Sequence, residues 1–368
     1  MKPKRINEKG IALVLILWVL ALLSVIAGEF CYAMRTEVNI TRNFKGQSEA
    51  YYVALAGVNR AIGELIRNEI IRQRPNPLND KGGSLNDKGE SEKEKGRTEE
   101  NEQTENEDRW RINVDMPPVS FGGGQFRVRI SNESGKININ GASEALLKMM
   151  LDAFDLEEQQ KAIIVDSILD WRDKNDLHRL NGAENDYYNS LPEPYDCKDD
   201  DFDSVEELLL VRGVTPEIYY GGLKDMVSAL RPPKGNVKVV GGFKQYLVDF
   251  NKININAAPG KVLLALPSMT DDLVREIMAY RKESDFRVMS EVCSVVGTEV
   301  CNAISPYITL EMGPFFKVKS EGTVGSEKIR RGLEVVVEVS KSLKKGYRVV
   351  EWRDRLESGI KSFSKPEQ

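Results

Sequence analysis

Histidine is almost absent from this chain: among 368 residues there is one, His178. Metal sites or acid–base relays built on paired histidines are therefore excluded. Cysteine is sparse as well. Cys31, Cys197, Cys293 and Cys301 form no C-x-x-C pair, which argues against a zinc ribbon. An excess of basic charge is missing too. The formal net charge is −5, against the basic face expected of a nucleic-acid partner. No G-x-S-x-G motif or other nucleophile–base–acid set is present, and His178 sits beside Arg179 rather than beside a nucleophile, so a hydrolase is disfavoured. Paired carboxylates occur, but nothing sets two of them across a cleft as a glycosidase needs.

Two stretches are defined by what they lack. Residues 79–108 hold no aromatics and a single large apolar side chain, Leu85, with eleven acidic and five basic residues. Such a segment cannot bury enough surface to fold and reads as a disordered acidic insert at 76–108. By contrast, Ile11 to Gly28 holds neither charge nor proline. Eighteen helical residues rise roughly 27 Å, close to the hydrocarbon thickness of a bilayer. Lys2, Lys4, Arg5 and Lys9 precede the run, which places the N-terminus on the cytoplasmic side. Three fates are open to it: ordinary signal cleavage near Ala27 or Gly28, an uncut anchor, or a cut after Gly10 that keeps the apolar helix.

The helical pattern does not stop at Gly28. Leu55, Val58, Ile62, Leu65, Ile66 and Ile70 recur at spacings of three and four, up to the prolines of "RPNPLND" at 74–80. A helix over 11–75 is expected, transmembrane over 11–30 and an amphipathic stem beyond. Alternating stretches at 110–114, 123–140, 315–324, 331–341 and 347–353 read as strands. They bracket a helical middle. The fold class is α+β: a sheet from 109–140 and 306–356, an all-α domain inserted at 141–305, and a tail at 357–368.

The middle carries an echo. "KININ" occurs at 136–140 and again at 252–256, each time before a helix start. Stretches from 204, 261 and 289 read as helix, tight turn, helix. Helix–hairpin–helix units often bind DNA through Gly-x-Gly hairpins, but here the hairpins read "RGVTP" and "LPSMT", without the phosphate cradle. A packing scaffold is the better reading; a membrane-anchored DNA-binding protein of a competence-type machine is the alternative.

Acidic residues crowd the loop between the two echoes. Asp170, Asp173, Asp176, Glu184 and Asp186 fall within seventeen residues, and Asp196, Asp199, Asp200, Asp201 and Asp203 follow. Many oxygens on a loop suit calcium, which takes six to eight of them. A solvated acidic loop with helix caps is the alternative. Cys293 and Cys301 lie eight residues apart in the third helical pair. They bond to one another, or remain buried thiols, or Cys197 pairs instead; spacing alone leaves the connectivity open.

In order along the chain come a short basic leader ending in Lys-Gly, "DWRDKNDLHRLNGAENDYYNSLPEPY" at 170–195, "SVEELLLVRGVTPEIY", and "ININAAPGKVLLAL". Together they resemble the K-type minor pseudopilin of type II secretion, with Asp170, Trp171, Asp173, Gly182, Ala183, Glu184, Tyr187 and Tyr188 matching its signature. Leu15 stands at the fifth position after Gly10, where most pilins carry glutamate and the K-type does not. The resemblance implies a pilin-like sheet with a helix–hairpin–helix or SAM-like insertion, and no catalysis. It implies cleavage after Gly10 and N-methylation of Ile11 by a prepilin peptidase, leaving a single-pass inner-membrane protein with a periplasmic C-terminal domain. It implies a place at the pseudopilus tip beside the I- and J-type minor pseudopilins, the major pseudopilin and the inner-membrane secretion platform. It also implies calcium in the helical domain, for which Asp173, Asp176, Glu184 and Asp186 are the expected ligands.

Overall fold

One helix, α1, runs without a break from Glu8 to Arg72 in the computed structural model. That is roughly 95 Å of helix. The structure describes residues 8–72, 110, 112–231, 237–240, 243–246, 249–325, 329–340 and 342–355. The expected insert at 76–108, the tail at 357–368 and residues 1–7 of the expected leader lie outside the described residues. Among the described residues, α1 alone is long and apolar enough to cross a membrane. From Leu13 to Lys45 every side chain is exposed, Trp18, Cys31 and Phe44 included, although many are large and apolar.

Beyond residue 45 the helix acquires a buried face. Val53, Ala54, Val58, Ala61, Ile62 and Leu65 recur at helical spacing and pack on one antiparallel sheet, and the Ala50 carbonyl lies against Gly322 of that sheet. Its strands are β1 (Val119–Phe121), β2 (Gly124–Asn132), β3 (Phe315–Val324), β4 (Ile329–Val339) and β5 (Tyr347–Arg355), in that spatial order. Phe126, Val128, Ile130, Val318, Leu333, Val335 and Val337 supply the sheet's half of this core. The contact is close because small residues line it. Gly57 faces Ser320, whose hydroxyl donates to the Ala54 carbonyl at 2.7 Å.

The expected strand at 110–114 does not form a ladder. Asn113 adopts φ 65°, and Pro117 and Pro118 have no amide to donate, so among the described residues the backbone of the segment meets β2 through an Asp115–Arg129 bridge and the Asn113 and Met116 amides. The edge strand β1 forms just after the prolines instead.

The helical domain is spliced between β2 and β3, where Asn132 lies opposite Phe316. Because the two strand ends are neighbours, the sheet accommodates the insertion without losing register. The splice lies at the end of the sheet far from the apolar half of α1. Ile329, at the opposite end of the sheet, sits against Gly46, whereas Gly346, beside the splice end, sits by Ile66.

The inserted unit is two copies of one design, which explains the KININ echo. Ile137–Asn138 pairs in parallel with Val227–Ser228, and Ile253–Asn254 pairs in parallel with Ile308–Thr309. These short strands therefore belong to the helical unit and not to the main sheet, so the unit runs from 133 to 314 rather than 141 to 305. In the first copy come α2 (Glu144–Leu151) and α3 (Glu158–Arg172); in the second, α4 (Gly260–Leu264) and α5 (Asp271–Glu283). Arg172, at the end of α3, donates to the Ile139 and Ala142 carbonyls, and Arg281 of α5 donates to the Ala258 carbonyl at 2.7 Å. The last asparagine of each KININ makes the same two-way bond to a phenylalanine backbone. Asn140 receives the Phe202 amide at 2.8 Å and donates to its carbonyl at 3.0 Å; Asn256 does so with Phe286 at 2.8 and 2.9 Å. Each copy then turns on a glycine in the left-handed region, Gly213 (φ 87°) or Gly297 (φ 83°).

In the second copy that turn joins α6 (Met289–Val296) to α7 (Thr298–Ile304), and a Cys293–Cys301 disulfide ties them together. Cys31 and Cys197 are free. Closing a loop of this size restricts the unfolded chain by about 2.5 kcal/mol. Replacing both Cys293 and Cys301 by alanine should lower unfolding stability by about that amount. A midpoint unchanged in urea would show that the bond contributes nothing.

Candidate functional site

The two copies differ most between the arginine that ends the second helix and the phenylalanine bonded to the asparagine. From Arg281 to Phe286 the second copy needs four intervening residues; the corresponding stretch of the first, from Arg172 to Phe202, is residues 173–201. The acidic loop is this extra stretch, an elaboration with no counterpart in its twin.

Its residues are tied to the domain one at a time. Asp170, fully buried near the end of α3, accepts from the Arg179 amide at 3.0 Å and from the Arg179 guanidinium at 2.5 Å. Burial pushes the Asp170 carboxyl up, and Arg179 opposes that. Gly182 lies so close to Asp170 that any side chain there would strike the carboxylate. Arg212 donates to the Gly182 carbonyl at 2.9 Å and covers the Tyr187 ring. Trp171 meets Tyr188 edge to face at 5.2 Å. The aspartates, glycine and aromatics of the 170–188 signature thus fold the loop.

Glu184 is the exception. It is 2% exposed, and neither carboxylate oxygen has a well-formed hydrogen bond. The Cys197 thiol is a weak donor beside it. Burial first, with Asp170 and Asp199 adding negative charge, pushes the Glu184 carboxyl up to about 7 against the thiol's opposing pull. Cys197 is itself buried, and burial together with Glu184 pushes its thiol up. Asp199 completes the group: its backbone is at φ 52° and its Oδ1 is buried without a partner. One ligand atom from each of Glu184, Cys197 and Asp199 lies within 4.8 Å of the others, and among the described residues this is the one such group of three. The Cys197 amide donates to Asn185 Oδ1 at 2.8 Å, which holds the 197–199 strand of the loop beside Glu184.

The four expected calcium ligands do not gather. Asp173 receives Arg179 at 2.8 Å and the Asn175 amide at 3.1 Å. Asp176 is exposed and accepts from Asn185 Nδ2 at 3.0 Å. Asp186 is exposed and accepts the neighbouring Tyr187 amide at 2.8 Å. Of the four, Glu184 alone has buried oxygens without a partner, and its companions are Cys197 and Asp199. A calcium ion takes six or more oxygens, backbone and amide carbonyls and water among them; of the four carboxylates expected to hold one, Glu184 alone stands in the group with Cys197 and Asp199. Asp199 and Cys197 lie outside the four ligands expected from the sequence. A thiol amid carboxylates was the available signal, but its pairing with Glu184 arises from the turn at Tyr188 to Tyr195, which periodicity does not predict.

Residues 129–233, from β2 through the first copy and its acidic loop, match the family model for type II secretion system (T2SS), protein K. The type II secretion system protein K of Aeromonas hydrophila is 23% identical over 286 residues, covering 77% of this chain and 79% of the relative. The crystal structure of the GspK-GspI-GspJ complex from the enterotoxigenic Escherichia coli type 2 secretion system contains a similar chain. It is 14% identical with a TM-score of 0.49, and the likeness covers 88% of this chain and 99% of that one.

Proposed function

We propose that this chain, whose residues 129–233 match the model for type II secretion system protein K, is the minor pseudopilin that starts and caps the pseudopilus of such a system. The observation that carries the tip assignment is where the helical unit leaves the sheet. It emerges at the end far from the apolar half of α1, and in a filament whose apolar stems point to the membrane that is the side a subunit stacked above would occupy. Only a subunit with nothing above it accommodates such a head. The exposed apolar half of α1 anchors the chain in the inner membrane in a single pass, and the head faces the periplasm. A prepilin peptidase cuts after Gly10 and methylates Ile11. The stem then packs among those of the I- and J-type minor pseudopilins and the major pseudopilin, on the inner-membrane platform. Leu15, in place of the usual glutamate, removes one contact to a neighbour's N-terminal amine, which suits a first subunit. The protein binds no nucleic acid in this role and carries out no catalysis.

Overexpressing this chain in cells that assemble long filaments from the major pseudopilin should shorten them, because excess caps start more filaments from the same pool. Longer filaments, or chain extracted from membranes with residues 1–10 still attached by mass spectrometry, would overturn the assignment.

A further inference from the structure

We propose that the helical unit is a rigid head that rocks on the sheet about a buried pivot at Asn132, with the Glu206–Arg353 ion pair as the catch that sets its resting tilt. The head and the sheet do not share an apolar core. One buried cluster lies wholly within the helical unit, and the other joins α1 to the sheet. Units with separate cores and a polar seam between them move relative to one another by default. Phe250 meets Phe315 across the seam at 6.4 Å, beside a set of polar contacts.

The pivot is where the chain crosses twice between sheet and head. Asn132, at the end of β2, is 3% exposed. Its Nδ2 donates to the Gly313 carbonyl at 2.8 Å, and its Oδ1 receives the Ser134 amide at 3.1 Å. The Gly313 amide donates to Ser134 Oγ at 3.2 Å, so the outgoing and returning segments are pinned to each other at one point. Next to it the buried Glu133 is shared between Lys136 of the head at 3.2 Å and Lys317 of β3 at 3.7 Å. Removing one partner from so buried a set strands a charge, so the pivot holds. The contacts to either side are weaker. Towards the first copy, Glu206 meets Arg353 of β5 at 3.1 Å, with both side chains about half exposed. An ion pair this open adds little, and salt screens it. Towards the second copy, Asn113 Nδ2 donates to the Asn256 carbonyl at 3.0 Å, while Arg129 of β2 lies near enough to Arg281 of α5 to oppose its charge. Releasing Glu206 from Arg353 therefore frees the head to tilt while both cores stay intact. This inference does not depend on the role in secretion, since it concerns the head and sheet of one chain.

The test uses the full-length protein in detergent, with Cys31→Ser removing the exposed thiol and nitroxide labels on cysteines introduced at exposed positions. Asn59→Cys marks the stem, and Ala145→Cys and Ala279→Cys mark the two copies of the head. Pulsed electron spin resonance between 59 and 145 reads the tilt, and between 145 and 279 it reads the head itself. Glu206→Gln and Arg353→Gln should each broaden the stem-to-head distribution at least about twofold and leave the within-head distribution unchanged. Raising salt from about 0.1 M to about 1 M, which shortens the screening length from about 10 Å to about 3 Å, should act in the same direction. Glu351→Gln removes a partner of Arg353 on its own strand but none on the head, and should leave the tilt fixed. A stem-to-head distribution that stays narrow in both Glu206→Gln and Arg353→Gln overturns the proposal. One already broad in the parent protein at low salt overturns it too, since nothing then sets the tilt. Equal broadening within the head does the same, because the head is then not a rigid body.

Discussion

Gly322→Val should separate the stem from the sheet. Gly322 lies in β3 where α1 crosses it, and a Cβ added there would fall on the Ala50 carbonyl oxygen and the Ala54 amide nitrogen. Both are helix backbone, so no side chain can swing aside. The helix would have to lift from the sheet along the face formed by Val53, Ala54, Val58 and Phe126. Overpacking costs about 1–3 kcal/mol where side chains can yield. Here the obstacle is main chain, and the loss should reach at least about 3 kcal/mol. Urea titration of the solubilised chain would measure it, and limited proteolysis should cut freely after residue 45. Gly63→Ala is the control. Nothing lies within 4 Å of a Cβ at that position, so the helix should be stabilised by roughly 0.5–1 kcal/mol. Equal behaviour of the two variants would mean that the close crossing is not what joins stem to head.

Asn256→Ala should unfold the second copy of the helical unit first. The side chain is 3% exposed and bonds both the amide and the carbonyl of Phe286. Removing it strands two buried backbone groups, each worth about 1–3 kcal/mol when left unsatisfied. A loss of about 3 kcal/mol is expected, or roughly 10 °C in the melting of a domain of this size. Asn256→Asp, which keeps the acceptor but turns a buried carboxylate oxygen toward the Phe286 carbonyl, should cost at least as much. Because Asn140 makes the same pair of bonds with Phe202, Asn140→Ala should cost a comparable amount. A loss below about 1 kcal/mol at both sites would show that water replaces the amide, and that the shared geometry is incidental.

The match between pattern and structure is closest where a run of residues has one environment. The apolar stretch from Ile11 is such a run, and so are the alternating strands at 315–324 and 347–353, which the structure places in β3 and β5. The match fails where partners are distant. "WRINV" alternates well, yet Asn113 and the proline pair after it deny it a ladder. The first "KININ" reads as a continuation of β2, yet its Ile137 pairs with Val227, far along the chain, and leaves the main sheet, as Ile253 of the second does with Ile308. A glycine inside a helix ordinarily weakens it; at Gly57, against Ser320, it is the reason the helix can sit so close.

By itself, the order of residues determined that a long apolar stem leads into an α+β head with a repeated helical insertion. Those features depend on local periodicity, on uninterrupted hydrophobicity and on a duplicated motif, all of which are properties of neighbours in sequence. Only the tertiary structure decided which end of the sheet carries the insertion and which three donors of the acidic loop meet. Strand register sets the first, and the fold of a 29-residue loop around Asp170 and Arg179 sets the second. In both cases the deciding contacts join residues that no local pattern relates.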